Sequence, residues 1–161
     1  MGGDEARFAP IDFAPAYRLV HEKGYGCTAH AGEVVGPESV WAAIRDLPVT
    51  RIGHGVRSAE DPALLAELAR RGIVLEVCPG SNVALGLYAD RAAHPLHRLI
   101  DAGVPVTLNS DDPPFFHTSL GLEYEMAGLG EQELRVIARR TIEASFVDAD
   151  TKRKLLKEMV A

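Results

Sequence analysis

Long apolar runs, a basic surface and abundant cysteine are all missing from this 161-residue chain. No apolar run approaches the roughly 20 residues of a membrane span, and the opening MGGDEARFAP does not have the character of a signal peptide. The formal charge of −6 disfavours nucleic acid and anionic membranes as partners. Both cysteines, Cys27 and Cys78, lie in apparent strands, which predicts buried reduced thiols and a cytoplasmic location.

Helical and extended patterns alternate along the chain. Apolar segments at about 25–30, 50–54, 73–78 and 104–110 are predicted strands, and each precedes a loop and a helix. The clearest helix spans 61–72, where Asp61 is a candidate cap, Pro62 lies in the first turn and Gly72 follows the end. Further helices are predicted at 12–23, 36–47 and 94–103, and in a tail at about 119–160 with breaks near 128–130 and 148–150. This spacing of strands and helices is typical of a parallel sheet, so the predicted fold class is α/β.

Polar side chains occur at the carboxyl end of every predicted strand: His30 and Glu33, then His54, then the CPGSN segment at 78–82, then Asp111 and Asp112. The carboxyl ends of parallel strands meet at one edge of a sheet, where α/β enzymes place their active sites. Agreement between four strands is harder to explain by chance than any single motif. The sequence therefore predicts an active site at this edge.

Each of these residues alone also has an ordinary structural interpretation. His30 could be a hydrogen-bonded structural histidine and Glu33 a surface or helix-start acid, while His54, between two glycines, could mark a tight turn. The aspartate pair could form a turn or a helix cap. Together, however, a histidine and an aspartate can bind a divalent metal of the zinc type, a glutamate can carry protons, and a second histidine can orient or deprotonate water. The set predicts hydrolysis by metal-activated hydroxide, with further ligands supplied from elsewhere because a catalytic zinc usually takes three or more.

The other histidines have simpler interpretations. His21 is predicted to lie on the surface of the first helix. His94 and His97 flank a proline at a helix start, where capping or solvent exposure is expected. His117 could line the pocket, and the phenylalanines at 115–116 could form an apolar wall over a planar substrate or pack the loop.

The motifs TAHAGE, RIGHGVR, VCPGSN and LNSDDPP, in this order and spacing, resemble the adenosine deaminase family of metal-dependent barrel enzymes. GGDE at 2–5 is similar to a further motif of that family. The resemblance covers essentially the whole chain and matches strands five to eight of an eight-stranded barrel. It implies a single partial domain over 1–161, the carboxyl-terminal half of a (β/α)8, or TIM, barrel: four parallel strands with helices, and a helical carboxyl-terminal tail.

The resemblance also implies a role for each motif residue. His30 and Asp111 would bind one Zn²⁺ ion in the intact site. Glu33 would protonate the purine ring nitrogen N1, which makes the neighbouring C6 electrophilic. His54 would orient the activated water and help to deprotonate it.

Substrate contacts are implied in the same way. Asp112 would hydrogen-bond N7 of the purine, and the backbone of Gly3 would contact N3. The substrate would be a small purine nucleoside, adenosine or 2′-deoxyadenosine, converted to inosine or its deoxy form with release of ammonia. Free adenine and modified adenosines remain alternatives within the family. RIGHG favours the nucleoside branch, because aspartate is expected in place of Gly53 in the adenine branch.

One expected feature of the family is missing. The chain has no pair of histidines two residues apart, which the family carries on its first strand and which completes the metal site. We therefore expect a truncated chain, or an internal methionine taken as the start, with weak metal binding and little or no catalysis. A half barrel would leave its first and fourth strands with unpaired edges and apolar faces, which favours pairing with a missing half or self-association. A non-catalytic relic or interaction module is the second hypothesis.

Overall fold

Four parallel strands form one sheet in the computed structural model, which describes residues 3–159. The strands are β1 (Thr28–Ala31), β2 (Arg51–His54), β3 (Val74–Val77) and β4 (Val106–Leu108). They pair in sequence order, with Ala29 opposite Ile52 and Leu75 opposite Val106. The predicted α/β class with four parallel strands is confirmed. Met1, Gly2 and Val160, which belong to the predicted start, the GGDE motif and the tail, lie outside the described residues.

One helix precedes β1, and helices follow every strand. They are α1 (Ala14–Glu22), α2 (Pro37–Asp46), α3 (Pro62–Arg71), α4 (Pro79–Ala84), α5 (Leu96–Asp101), α6 (Pro113–Phe116), α7 (Leu120–Glu125), α8 (Glu131–Ala144) and α9 (Ala149–Glu158). Short 3₁₀ turns occupy Pro10–Phe13 and Val56–Glu60. The Asp61 carboxylate accepts hydrogen bonds from two backbone N–H groups at the start of α3, and Gly72 ends that helix with φ of +65°, as predicted. The tail is helical as predicted, with turns at 126–130 and 145–148.

The core fills the space between the sheet and the helices packed on one of its faces. Alternate strand residues such as Ala29, Ile52 and Leu75 are buried on this face. Leu64 and Leu68 of α3 belong to the same apolar cluster, which α2, α5 and α8 also supply with side chains. Burial of this cluster fixes the register of the strands, because a slip of one residue would turn each apolar side chain to the other face.

The opposite face of the sheet is polar. The Thr28 hydroxyl donates to Glu76 Oε2 over 2.9 Å, and Arg51 Nε lies 3.1 Å from Glu76 Oε1. His30 is exposed on this side. The expectation of apolar open faces is therefore wrong for this face, because Thr28 and Arg51 pair with Glu76 across it. The expectation of unpaired edges is confirmed for the described residues, because β1 and β4 lie at the two ends of the sheet.

Both cysteines are free and buried, as predicted. Cys27 precedes β1 and Cys78 follows β3, so both lie one residue outside the strands predicted to contain them. Within residues 3–159, no helix combines the length and the apolar character needed to cross a bilayer.

Candidate active site

Four of the predicted site residues meet at the carboxyl edge of the sheet. His54 Nε2 lies 3.4 Å from Glu33 Oε2 and 3.9 Å from Asp111 Oδ2. The rings of His30 and His54 are 4.9 Å apart and nearly perpendicular, at 87°. His30, His54 and Asp111 line one open cavity of about 400 Å³. His30 and Asp111 therefore face the same space rather than opposite ends of the sheet.

Two of these residues have an unusual backbone conformation. His54 has φ of 60° and Asp111 has φ of 53°, which place both in the left-handed region. Residues other than glycine rarely adopt this conformation, and it costs on the order of 1–3 kcal/mol at each position. Strain of this kind collects at functional sites, where the surrounding structure holds the side chain in a required direction. The strained backbone of His54, at the end of β2, and of Asp111, after β4, thus supports a functional site at this edge.

Burial sets the protonation of the two central groups. Burial, together with the negative charges of Asp111 and Glu5, raises the pKa of Glu33 to about 7. Burial, together with the neighbouring His30, lowers the pKa of His54 to about 4. Glu33 can therefore carry a proton near neutral pH while His54 stays neutral, so their contact at pH 7 is not an ion pair. A carboxylic acid with a pKa near 7 suits general acid catalysis.

The loop that carries Glu33 is held by Glu5. The Glu5 carboxylate accepts a hydrogen bond from the Ser39 hydroxyl at 2.6 Å and from the backbone N–H groups of Val34 and Val35 at 2.9 and 3.0 Å. It also accepts from the N–H of Gly32. Burial alone would raise the pKa of Glu5, but these hydrogen bonds outweigh it and hold the pKa below its ordinary value. No local sequence pattern indicates this contact, although the GGDE motif contains Glu5.

The CPGSN segment supports the site through α4. Ser81 donates to Asp111 Oδ2 over 2.6 Å, and Asn82 Nδ2 donates to Glu33 Oε1 over 3.0 Å. The start of α4 is anchored by Glu123, which is fully buried, accepts from the Gly80 N–H at 3.0 Å and pairs with Arg91 at 2.8 Å. The segment thus fixes both an aspartate and a glutamate of the cluster.

The remaining predicted site residues do not join this cluster. Asp112 is exposed at the start of α6, and its side chain makes no capping hydrogen bond there. Gly3 is exposed and lines an adjacent hollow together with Glu5 and His30. The roles of Gly3 and Asp112 in substrate binding stay predictions. Phe115 is 79% exposed, so it does not pack the loop.

The other histidines mostly follow expectation. His21 and His97 are exposed, and His117 is exposed after α6 with φ of 49°. His94 is different, because it is 4% exposed. Its Nδ1 accepts a hydrogen bond from the Leu96 N–H at 3.1 Å, so the predicted capping role is confirmed and the predicted solvent exposure is wrong.

The side chains at the cavity include some, but not all, of the ligands that a zinc ion needs. Imidazole nitrogen and carboxylate oxygen are typical zinc ligands, and His30 and Asp111 present both to the cavity. Cys78 lies within 4.8 Å of the ligand atoms of His54 and Asp111, but burial and nearby carboxylates raise its thiol pKa, which disfavours the thiolate form that binds metals. Two ligands are fewer than a catalytic zinc requires. A zinc site built on these two ligands would therefore need further ones.

Comparison with known proteins identifies the family. Residues 1–161 match the family model of adenosine deaminase. An adenine deaminase of Rhizobium johnstonii is 51% identical over 160 residues, covering 97% of this chain and 50% of the relative. The chain belongs to the adenosine deaminase family, and the resemblance seen in the motifs is confirmed. It spans about half the length of the curated relatives that it matches.

Solved structures agree with this assignment. The crystal structure of an adenine deaminase from Arthrobacter aurescens superposes with a TM-score of 0.93 at 32% identity, over 99% of this chain and 50% of that one. An amidohydrolase from Burkholderia ambifaria, solved with bound Zn, gives 0.89 at 29% identity, over 99% and 46%. The sheet and its helices are half of the family's (β/α)8 barrel, as predicted.

Gly53 has a structural explanation that is independent of substrate. A Cβ atom at this position would lie 2.4 Å from Cδ2 of His30. Glycine therefore provides the space in which the His30 ring reaches the cavity. Its presence is not evidence for the nucleoside branch.

Proposed function

We propose that the intact protein deaminates adenine hydrolytically, giving hypoxanthine and ammonia at a zinc site. The observation that carries the proposal is the convergence of His30, His54 and Asp111 on one cavity, with Glu33 Oε2 3.4 Å from His54 Nε2 beside it. Relatives at about half identity and a closely superposing structure are named adenine deaminases, which favours the free base over adenosine. The adenine alternative therefore replaces adenosine as the leading substrate.

Each residue of the cluster has a task in this reaction. Glu33, with a pKa of about 7, holds a proton that it can give to a ring nitrogen of the base. Neutral His54 can orient a water molecule or accept its proton. His30 and Asp111 would hold the zinc ion, whose chemistry is Lewis-acid activation of water near neutral pH. Asp112 and the Gly3 backbone stay candidates for contacts to the purine.

The proposal assigns catalysis to the complete barrel. This chain supplies two candidate metal ligands and the proton-transfer groups. We therefore expect the isolated chain to be inactive, whether in the cytoplasm or elsewhere. Support of Glu33 from Glu5 and Asn82, together with its raised pKa, favours an enzyme over an interaction module, because perturbed carboxyl groups cluster at catalytic sites.

A joined enzyme tests the function. It consists of this chain fused to the part of the Rhizobium johnstonii adenine deaminase that the match leaves uncovered. We expect ammonia release in the presence of Zn²⁺, with kcat/KM higher for adenine than for adenosine or 2′-deoxyadenosine. A higher kcat/KM for adenosine would favour the nucleoside as the substrate. Turnover of none of the three compounds would contradict the proposed function.

A further inference from the structure

A buried row of hydrogen-bonded side chains, Asn82 and His94, extends from Glu33. Asn82 Nδ2 donates to Glu33 Oε1 over 3.0 Å, and His94 Nε2 lies 3.2 Å from Asn82 Oδ1. Asn82 is fully buried and His94 is 4% exposed, so neither side chain exchanges these partners for bulk water. The ring of Tyr88 packs edge-on against His94 with centroids 5.0 Å apart. The row connects the loop before α5 to the carboxyl group at the cavity.

The direction of these hydrogen bonds follows from the backbone at the start of α5. The Leu96 N–H donates to His94 Nδ1 over 3.1 Å, so this nitrogen is an acceptor and carries no proton. Neutral imidazole then carries its proton on Nε2, which makes Nε2 the donor to Asn82 Oδ1. Burial and the nearby Arg91 lower the pKa of His94 to about 4, in agreement with a neutral ring.

His94 therefore decides which way the Asn82 amide faces. An asparagine amide can turn its oxygen or its nitrogen toward a neighbour with little change in shape. The Nε2–H of His94 holds the oxygen, so the NH₂ group must face Glu33. Glu33 Oε1 is then occupied as an acceptor, and Oε2, 3.4 Å from His54 Nε2, is the oxygen left to carry a proton toward the cavity.

We propose that His94 is a positioning residue for Glu33 and acts through Asn82. The inference rests on the proposed function for its catalytic consequence, since Glu33 is the proton donor there. Without the His94 donor, the Asn82 side-chain oxygen can turn toward the Glu33 carboxyl group. There it would accept the carboxyl proton on Oε1 or repel the carboxylate when Glu33 is ionised. The proton would then leave the oxygen that faces the base.

Two substitutions at His94 separate positioning from capping. In His94→Asn, the short amide keeps an acceptor near the Nδ1 position for the Leu96 N–H but does not reach Asn82. In His94→Gln, the longer amide places an N–H near the Nε2 position and can donate to Asn82 but loses the capping acceptor. His97→Asn, at an exposed histidine three residues further on, is the matched control.

In the joined enzyme we expect His94→Asn to lower kcat by about 10–100-fold with little change in KM, because a small misplacement of a catalytic group can cost up to about 100-fold in rate. His94→Gln should keep most of the wild-type kcat even though its thermal midpoint falls further than that of His94→Asn, and His97→Asn should match the wild type. Activity that follows thermal stability across the three variants would overturn the inference and leave only a structural role.

A second readout needs no activity. In the NMR spectrum of the 161-residue chain, His94→Asn should shift the side-chain NH₂ signals of Asn82 and speed their exchange with water, whereas His94→Gln should change them less. Unchanged Asn82 signals in His94→Asn would overturn the inference even if the joined enzyme turned over no purine. Conversely, an inactive wild-type joined enzyme contradicts the proposed function alone.

Discussion

The two sides of the cavity differ in how far their side chains are buried and held by neighbouring residues. On the proton-transfer side, His54 is 3% exposed and the Glu33 side chain is 17% exposed. On the metal and substrate side, the Asp111 side chain is 24% exposed, and His30 and Asp112 are exposed. Side chains of this chain hold both Glu33 and Asp111, whereas His30 and Asp112 are left exposed.

The difference lies in where each side finds its contacts. Glu33 is held by Glu5 and Asn82, which lie in this half barrel. His30 projects from the polar face of β1 into an open cavity. Since the chain spans half the length of its relatives, we infer that the open side is completed by residues of the other half. Under the proposed function, this half of the barrel positions the proton donor, whereas the metal site would be completed by the other half.

Loss of the prepared proton donor should have the largest effect. In the joined enzyme, Glu33→Gln should lower kcat by roughly 10²–10⁴-fold, because the amide cannot give a proton to the ring. Wild-type kcat/KM should fall as pH rises above about 7, where Glu33 ionises. Steady-state rates of ammonia release between pH 5 and 9 measure both effects.

Glu38→Gln is the control for that experiment, because Glu38 is an exposed acid on α2 nearby in sequence. It should keep the wild-type rate and pH profile. A Glu33→Gln enzyme with near-normal kcat would show that another group protonates the base and that the prepared side is not catalytic.

Weakening the support of Glu33 should have a smaller effect. Glu5→Gln should lower the free energy of unfolding of the 161-residue chain by about 2 kcal/mol, because it removes charge-assisted hydrogen bonds to the β1 loop. The pKa of Glu5 lies below its ordinary value of 4.5, so the charged form stabilises the fold above about pH 4.5, and this stabilisation is lost as pH falls through the folded-state pKa. The difference between wild type and Glu5→Gln should therefore shrink in acid.

Urea unfolding at pH 7 and below pH 4 measures this prediction. Asp4→Asn changes an exposed neighbour and should stay within about 0.5 kcal/mol of the wild type. Equal stability of Glu5→Gln and Asp4→Asn at pH 7 would mean that the β1 loop is not held by Glu5, and the contrast between the two sides of the cavity would weaken.

Local sequence patterns predicted most of the fold. Apolar runs located all four strands, and Asp61 and Gly72 marked the ends of α3 within one residue. The predicted strands were longer than the observed ones because exposed flanking residues such as Tyr25, 66% exposed, extended the apolar run. The short helices α4 and α6 were missed, since six and four residues carry too little periodicity. The polar face was missed because the strands read as continuous apolar segments.

Topology predicted the central cluster, because side chains at the carboxyl ends of neighbouring parallel strands must meet. Its support could not be predicted in this way. Glu5 contacts a loop about 30 positions further along the chain, and Asn82 contacts Glu33 across 49 positions. Such contacts depend on loop conformation and on the packing of α4, which no local pattern encodes. The burial of His94 likewise follows from its contacts with Asn82 and Tyr88.

Zinc retention tests the shared metal site most directly. The wild-type joined enzyme, its His30→Ala variant and the 161-residue chain alone are loaded with Zn²⁺, dialysed and analysed for metal by atomic absorption. The account predicts about one zinc ion per molecule in the joined enzyme and far less than one in the other two samples. Stoichiometric zinc in the 161-residue chain, or in the joined His30→Ala variant, would contradict a metal site divided between two halves of the barrel with His30 as a ligand.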